Sequence, residues 1–185
     1  MPLMAIEKIP WQDMLSALDP DGLLAPFDPH LAGTPPLGLD LPESDIDILL
    51  TIRDEAQYCA QIHQLFGACA DFRLWQWIGG NRPVMCRFFA FGWEVELFAS
   101  REPVRQQAGY RHFVLEQRLL ALGGEAFFNE IFALRQAGLK TEPAFARRLG
   151  IDGDPYLGLL SLETADDRRL LALIERGRHS RTGPA

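Results

Sequence analysis

The chain has 185 residues, 48% of them hydrophobic, which is enough to build a real core in one domain or in one domain with a helical extension. Its formal net charge of -7 and pI near 5.1 exclude an overall basic field that would hold a long polyanion by counterion release, so no duplex DNA binding is expected. A local cationic pocket for a small phosphate-bearing ligand is still compatible, because Arg101, Arg105, Arg111, Arg118, Lys140, Arg147 and Arg148 all fall in the second half.

Apolar residues at positions 11, 14, 15 and 18 have helical spacing, and Asp19-Pro20-Asp21-Gly22 ends that short helix with turn chemistry. Residues 23–41 are rich in Pro and Gly and predict an extended, loop-dominated segment. Residues 46–52 form a short β-branched and leucine-rich run, the pattern of a buried strand, with Asp45 and Asp47 at its start. Asp54 is placed to cap the next helix, whose apolar positions recur three and four apart from Ala56 to Cys69.

Three aromatic and β-branched segments follow, at 72–78, 84–91 and 93–98, and the Gly79-Gly80-Asn81 and Gly92 turns between them predict antiparallel strands. From Pro103 onward strand character is lost, and helices are predicted over 104–122, 126–136, 143–149 and 164–174. The fold class is therefore α+β: a small mixed sheet flanked by helices over residues 1–100, a helical region over 101–175, and a frayed tail over 176–185. Cys59, Cys69 and Cys86 form no CxxC pair and read as buried free thiols. Without a basic leader or 18 uninterrupted apolar residues, a soluble cytoplasmic protein with no membrane partner is expected.

The chemistry concentrates around Gly33-Thr34 and Asp45-Ile46-Asp47. Gly33 lets the backbone approach a phosphate without a Cβ in the way, and the Thr34 hydroxyl and nearby N–H groups are donors for its oxygens. Two carboxylates at period-two spacing on a strand face one side and suit Mg²⁺ (or Mn²⁺), which takes hard oxygen ligands and completes its shell with water and substrate phosphate. A third carboxylate is expected from a neighbouring strand, where Glu94 and Glu96 share a face; Glu96 is preferred because Val95 and Leu97 place it mid-strand. The plain alternative for Asp45 and Asp47 is a capped turn with one exposed acid, and Asp40 is assigned to the loop backbone or to assisting the metal.

Further along, Arg111 and His112 are phosphate or base contacts or else surface ion-pair members, with His112 also a potential general acid or base and a neighbour of Glu116 at helical spacing. Lys140 enters as a phosphate ligand or simply precedes a helix capped by Thr141. Trp75 and Trp77 either stack on a base or pack on the sheet.

This pattern resembles the polymerase-β-like nucleotidyltransferase superfamily. The phrases Gly33-Thr34-Pro35-Pro36-Leu37-Gly38-Leu39-Asp40, Ser44-Asp45-Ile46-Asp47-Ile48, Tyr110-Arg111-His112 and Gly138-Leu139-Lys140-Thr141-Glu142-Pro143-Ala144-Phe145 are more specifically similar to an uncharacterised bacterial nucleotidyltransferase-like family, a domain of unknown function. The resemblance covers roughly residues 27–162 and implies a minimal nucleotidyltransferase fold. It implies that Asp45, Asp47 and Glu96 hold the metal and serve catalysis and that Gly33 and Thr34 hold the triphosphate; Ser44, Arg111, His112 and Lys140 are candidate nucleotide contacts read from the residues themselves. The expected reaction is transfer of NMP from a nucleoside triphosphate to a hydroxyl acceptor. Two alternatives are a non-catalytic nucleotide-binding or regulatory module of the same fold and a metal-dependent nucleotide phosphohydrolase. The superfamily often has Ser where Thr34 stands, and the two prolines that follow are a departure from it.

Overall fold

Period-two alternation organises the centre of the first half. Ile46, Ile48 and Leu50 point to one face of a strand and are fully buried, while Asp47 points to the other and is half-buried. The computed structural model describes residues 7–179 and places this strand, β2 (Ile46–Thr51), in a five-stranded sheet of order β1-β2-β5-β4-β3. The other strands are β1 (His30–Ala32), β3 (Ala70–Gln76), β4 (Val84–Ala90) and β5 (Trp93–Ser100). β2 and β5 run parallel; the remaining neighbours are antiparallel, as the turn chemistry between β3, β4 and β5 requires. Phe91 and Gly92, both in the left-handed region at φ 51° and 80°, make the two-residue turn that joins β4 to β5.

β1 is an addition to the sequence expectation, which gave residues 23–41 to a loop. Three residues are too few to show periodicity, and the strand exists because β2 supplies its hydrogen-bonding partner. The apolar face of the sheet is sealed by α1 (Met14–Leu18) and α2 (Glu55–Phe66), through Met14, Leu18, Tyr58, Ile62 and Phe66 packed with the inward residues of β2, β4 and β5. At about 1.5–3 kcal/mol for each large apolar side chain fully buried, this face is committed to stability. Polar chemistry is left to the opposite face. Asp54 caps α2 as expected, accepting from the Gln57 N–H at 2.9 Å, a contribution of about 1 kcal/mol.

The chain divides into two compact units, one ending at Tyr110 and the other starting at Arg111. The second unit is helical. It contains most of α3 (Ala108–Gln136), which is broken at Gly124 (φ 63°, ψ -167°), then α4 (Thr141–Leu149), α5 (Pro155–Leu160) and α6 (Asp167–His179). Phe127, Ile131, Phe145, Leu149, Leu159, Leu170 and Ile174 form its buried interior. Arg148, almost fully buried, is paired with Glu130 and donates to the Ile174 carbonyl at 3.1 Å.

Two local expectations are corrected here. Residues 155–160, left unassigned between the helices expected at 143–149 and 164–174, are helical, because the Asp154 carboxylate accepts from the N–H groups of Tyr156 and Leu157 at 2.9 Å and Pro155 occupies the first turn. α6 continues to His179, so the tail expected from Arg176 does not start there; residues 180–185 of that expectation lie outside the described residues. Among the described residues no helix is long and apolar enough to cross a membrane.

Candidate functional site

Sheet register gathers side chains that are far apart in sequence. Ala32 pairs with Asp47, Asp47 with Glu96, Glu96 with Arg87, and Arg87 with Arg73. Cross-strand partners share a face, so these residues form one row across the sheet, opposite the sealed core. Asp45, immediately before β2, and Glu94, two residues before Glu96, extend the acidic end of that row. All four carboxylates are half-buried. The choice of Glu96 over Glu94 rested on position within the strand; register adds that Glu96 is the one directly beside Asp47.

Gly33 follows β1 with φ 74°, and a Cβ there would collide with the Asp47 carboxylate. The Gly-Thr loop is therefore laid directly against the acid, and only glycine meets both the torsion and the contact. Thr34 is buried and its carbonyl accepts from the N–H groups of Leu37 and Leu39, both at 3.1 Å, which closes a 3₁₀ turn over Pro35–Leu37. Pro35 and Pro36 have no N–H, and that of Leu37 is used within the turn. The expected cradle of backbone donors after Thr34 is correspondingly reduced. Ser44 is also buried; its hydroxyl oxygen accepts from the Leu41 N–H at 2.8 Å and so shapes the loop into β2.

Arg87 was not anticipated. Its guanidinium donates to Glu96 at 3.1 Å and lies 3.3 Å from Glu94, neutralising part of the acidic cluster from the β4 side. The hydrogen bond to Glu96 holds Arg87 above its ordinary pKa, and the charges of Glu94, Glu96 and Asp45 act in the same direction against the cost of burial. In sequence Arg87 is only a polar residue between strand residues. Strand alternation puts it on the face of Met85 and Phe89, but does not say which strand lies beside it.

Arg111 and Lys140, also expected as contacts, belong to the helical unit. Arg111 makes a forked pair with Glu163, with N···O distances of 2.5 to 3.0 Å, so the ion-pair alternative is realised there. Arg111 holds the Glu163 carboxyl below its usual range. Lys140 is exposed ahead of α4 and provides no side-chain cap. Trp77 lies past the end of β3 and is mostly exposed, whereas Trp75 is half-buried in the strand.

His112 and Glu116, neighbours one helical turn apart, are both buried and meet Glu142 from α4. Among the described residues this is the group of three potential ligands whose donor atoms all lie within 4.8 Å of one another. Asp45, Asp47 and Glu96 are not drawn together that tightly, with Glu96 held towards Arg87. Burial pushes the Glu116 carboxyl well above its ordinary pKa, with the Glu142 charge adding to the shift and Arg135 opposing it. Burial likewise lowers His112, opposed by Glu142.

The family model for a domain of unknown function (DUF4269) matches residues 15–162. The chain belongs to that family. No curated protein matches it. Among solved structures, this DUF4269 chain is similar to Cid1, described as having RNA terminal uridylyl transferase activity. The TM-score is 0.55 at 13% identity, over 78% of this chain and 51% of Cid1. Two further structures, described as Cid1 poly(U) polymerase with MgATP or MgGTP, each give a TM-score of 0.51 at 14% identity, over 80% of this chain and 48% of the other. The DUF4269 chain thus spans about half the length of these neighbours. At such identity the likeness shows the fold, and the α+β nucleotidyltransferase-like architecture is the one the sequence pattern implied.

Proposed function

We propose that this protein is a Mg²⁺-dependent (or Mn²⁺-dependent) nucleotidyltransferase that transfers NMP from a nucleoside triphosphate to a hydroxyl acceptor. The observation that carries the proposal is the pairing of Asp47 with Glu96 on adjacent parallel strands, with the Gly33 backbone laid against Asp47. Two carboxylates side by side repel unless a cation stands near them, and their oxygens are the hard donors that Mg²⁺ prefers. Asp45, Asp47 and Glu96 would hold the metal, which would supply charge neutralisation of the triphosphate and of the oxygens entering and leaving phosphorus. Gly33, Thr34 and Ser44 form the loop that positions phosphate, and Glu96 is the base nearest to hand for the acceptor proton. The cell compartment proposed is the cytoplasm.

The experiment is pyrophosphate release from a panel of nucleoside triphosphates with Mg²⁺. Release that disappears in Asp47→Ala supports transfer; release of inorganic phosphate or NMP with no nucleotidylated product points to hydrolysis. A second reading, a nucleotide-binding module without turnover, is favoured by two observations: Arg87 is paired with Glu96, and Pro35 and Pro36 remove two loop N–H donors. Nucleotide binding that depends on Asp47, with no product from any nucleotide, would establish that module instead.

A further inference from the structure

The helical unit carries a second cluster of metal-ligand types that the proposed transferase does not use. Its members come from separate helices. His112 and Glu116 lie four residues apart on α3, so they project from one face of the helix. Glu142 is in the first turn of α4, and a donor atom from each of the three lies within 4.8 Å of the others.

Two features separate this cluster from an ordinary group of surface acids. His112 is 5% exposed and Glu116 4%. His112 Nδ1 and Glu116 Oε1 are each shut off from solvent with no hydrogen-bond partner. Buried polar atoms are normally paired, because an unpaired one has lost its hydration with nothing in return, so two in one cluster call for an occupant. The Nε of Arg135 is likewise buried and unpartnered, and its charge acts on Glu116.

We propose that His112, Glu116 and Glu142 form a binding site for a divalent transition metal, distinct from the acidic row on the sheet. An imidazole with two carboxylates is the donor set of Zn²⁺, Mn²⁺ or Co²⁺ rather than of Mg²⁺, which favours oxygen alone. Three protein ligands leave at least one position for water. The ligand atoms of a tetrahedral ion stand about 3.3 Å apart, given bond lengths of about 2.0 Å, so the side chains close inward slightly on binding. Because α3 and α4 both contribute ligands, the ion cross-links the two helices and fixes the helix pair.

The test uses the full chain, freed of metal by a chelator and then dialysed, with Zn²⁺ or Co²⁺ added alone. Zn²⁺ at a hundredfold excess over its Kd is expected to raise Tm by on the order of 5 °C, and chelator should reverse the rise. Co²⁺ is expected to give a visible absorption band at one equivalent. Glu116→Gln and Glu142→Gln keep side-chain size and polarity, and each should abolish both signals; Glu142 is half-buried, so its variant is the safer to fold. Asp47→Asn, in the sheet, should leave both intact, which separates failure of this site from failure of the transferase proposal. Absence of any shift or band, or signals that persist in both glutamine variants, would overturn the site. So would signals lost in Asp47→Asn alone.

Discussion

Replacing Gly33 by alanine tests the contact on which the sheet site depends, and the molecule contains its own control. Gly22 has nearly the same torsion, φ 68° against 74°, but nothing stands within 4 Å of where its Cβ would be. Gly22→Ala therefore reports backbone strain alone, about 1–2 kcal/mol for an L-residue in the left-handed region. Gly33→Ala should cost that amount plus about 1 kcal/mol, because the Asp47 carboxylate must leave its rotamer to admit the methyl group. At roughly 2–4 °C per kcal/mol for a chain of this size, the two variants should differ in Tm by about 2–4 °C. In an Asp47→Ala background the nearest atom is the Cβ of residue 47 at 3.4 Å, an ordinary contact, and the excess cost should vanish. Thermal unfolding of the single and double variants measures this coupling. An equal cost of Gly33→Ala with and without the Asp47 carboxylate would refute the loop-to-acid contact. The same displacement of Asp47 should lower the proposed metal-dependent nucleotidyl transfer by about a hundredfold.

Arg87→Gln removes two partly exposed ion pairs, each contributing about 0.2–1 kcal/mol after solvent screening, so Tm should fall by a few degrees. Millimolar Mg²⁺ should restore more stability to this variant than to the parent, because the carboxylates have lost their internal cation; equal Mg²⁺ shifts in both would count against a shared site. The helical cluster predicts opposing pH effects in protein stripped of metal. Glu116 is raised, chiefly by burial, so its contribution is complete below its unfolded value of 4.5 and is lost as pH rises towards its folded value. His112 is lowered, again by burial, so its contribution is present above 6.5 and is lost as pH falls through its folded value. Glu142, Arg135, Arg111 and Glu163 are the charged groups acting on the pair. Chemical denaturation from pH 4 to 8 should show Glu116→Gln reducing the stability loss on the alkaline side of 4.5, and His112→Gln reducing the loss below 6.5. Parallel pH profiles for parent and variants would contradict the burial argument.

Local pattern was sufficient for four of the five strands and for most of the acidic row. β2 through β5 were legible because alternation and turn residues act over a few positions, and Asp45, Asp47 and Glu96 inherit their common facing from the same period of two. The Gly33-Thr34 signal was equally local, and its proline departure announced the reduced set of loop donors that the 3₁₀ turn contains. β1 escaped notice because three residues have no periodicity of their own and need β2 to become a strand.

Local spacing encodes a mixed sheet with acids on its open face, followed by helices. Tertiary structure alone decided the neighbours of those acids. Arg87 reaches Glu96 and Glu94 through the pairing of β4 with β5, and Asp47 meets Glu96 only because a parallel crossover brings β5 beside β2. Glu142 joins His112 and Glu116 from another helix, across 26 residues of chain that break at Gly124, and no local spacing encodes that meeting. Side-chain facing follows from backbone periodicity over a few residues, whereas side-chain company depends on register and packing between distant segments.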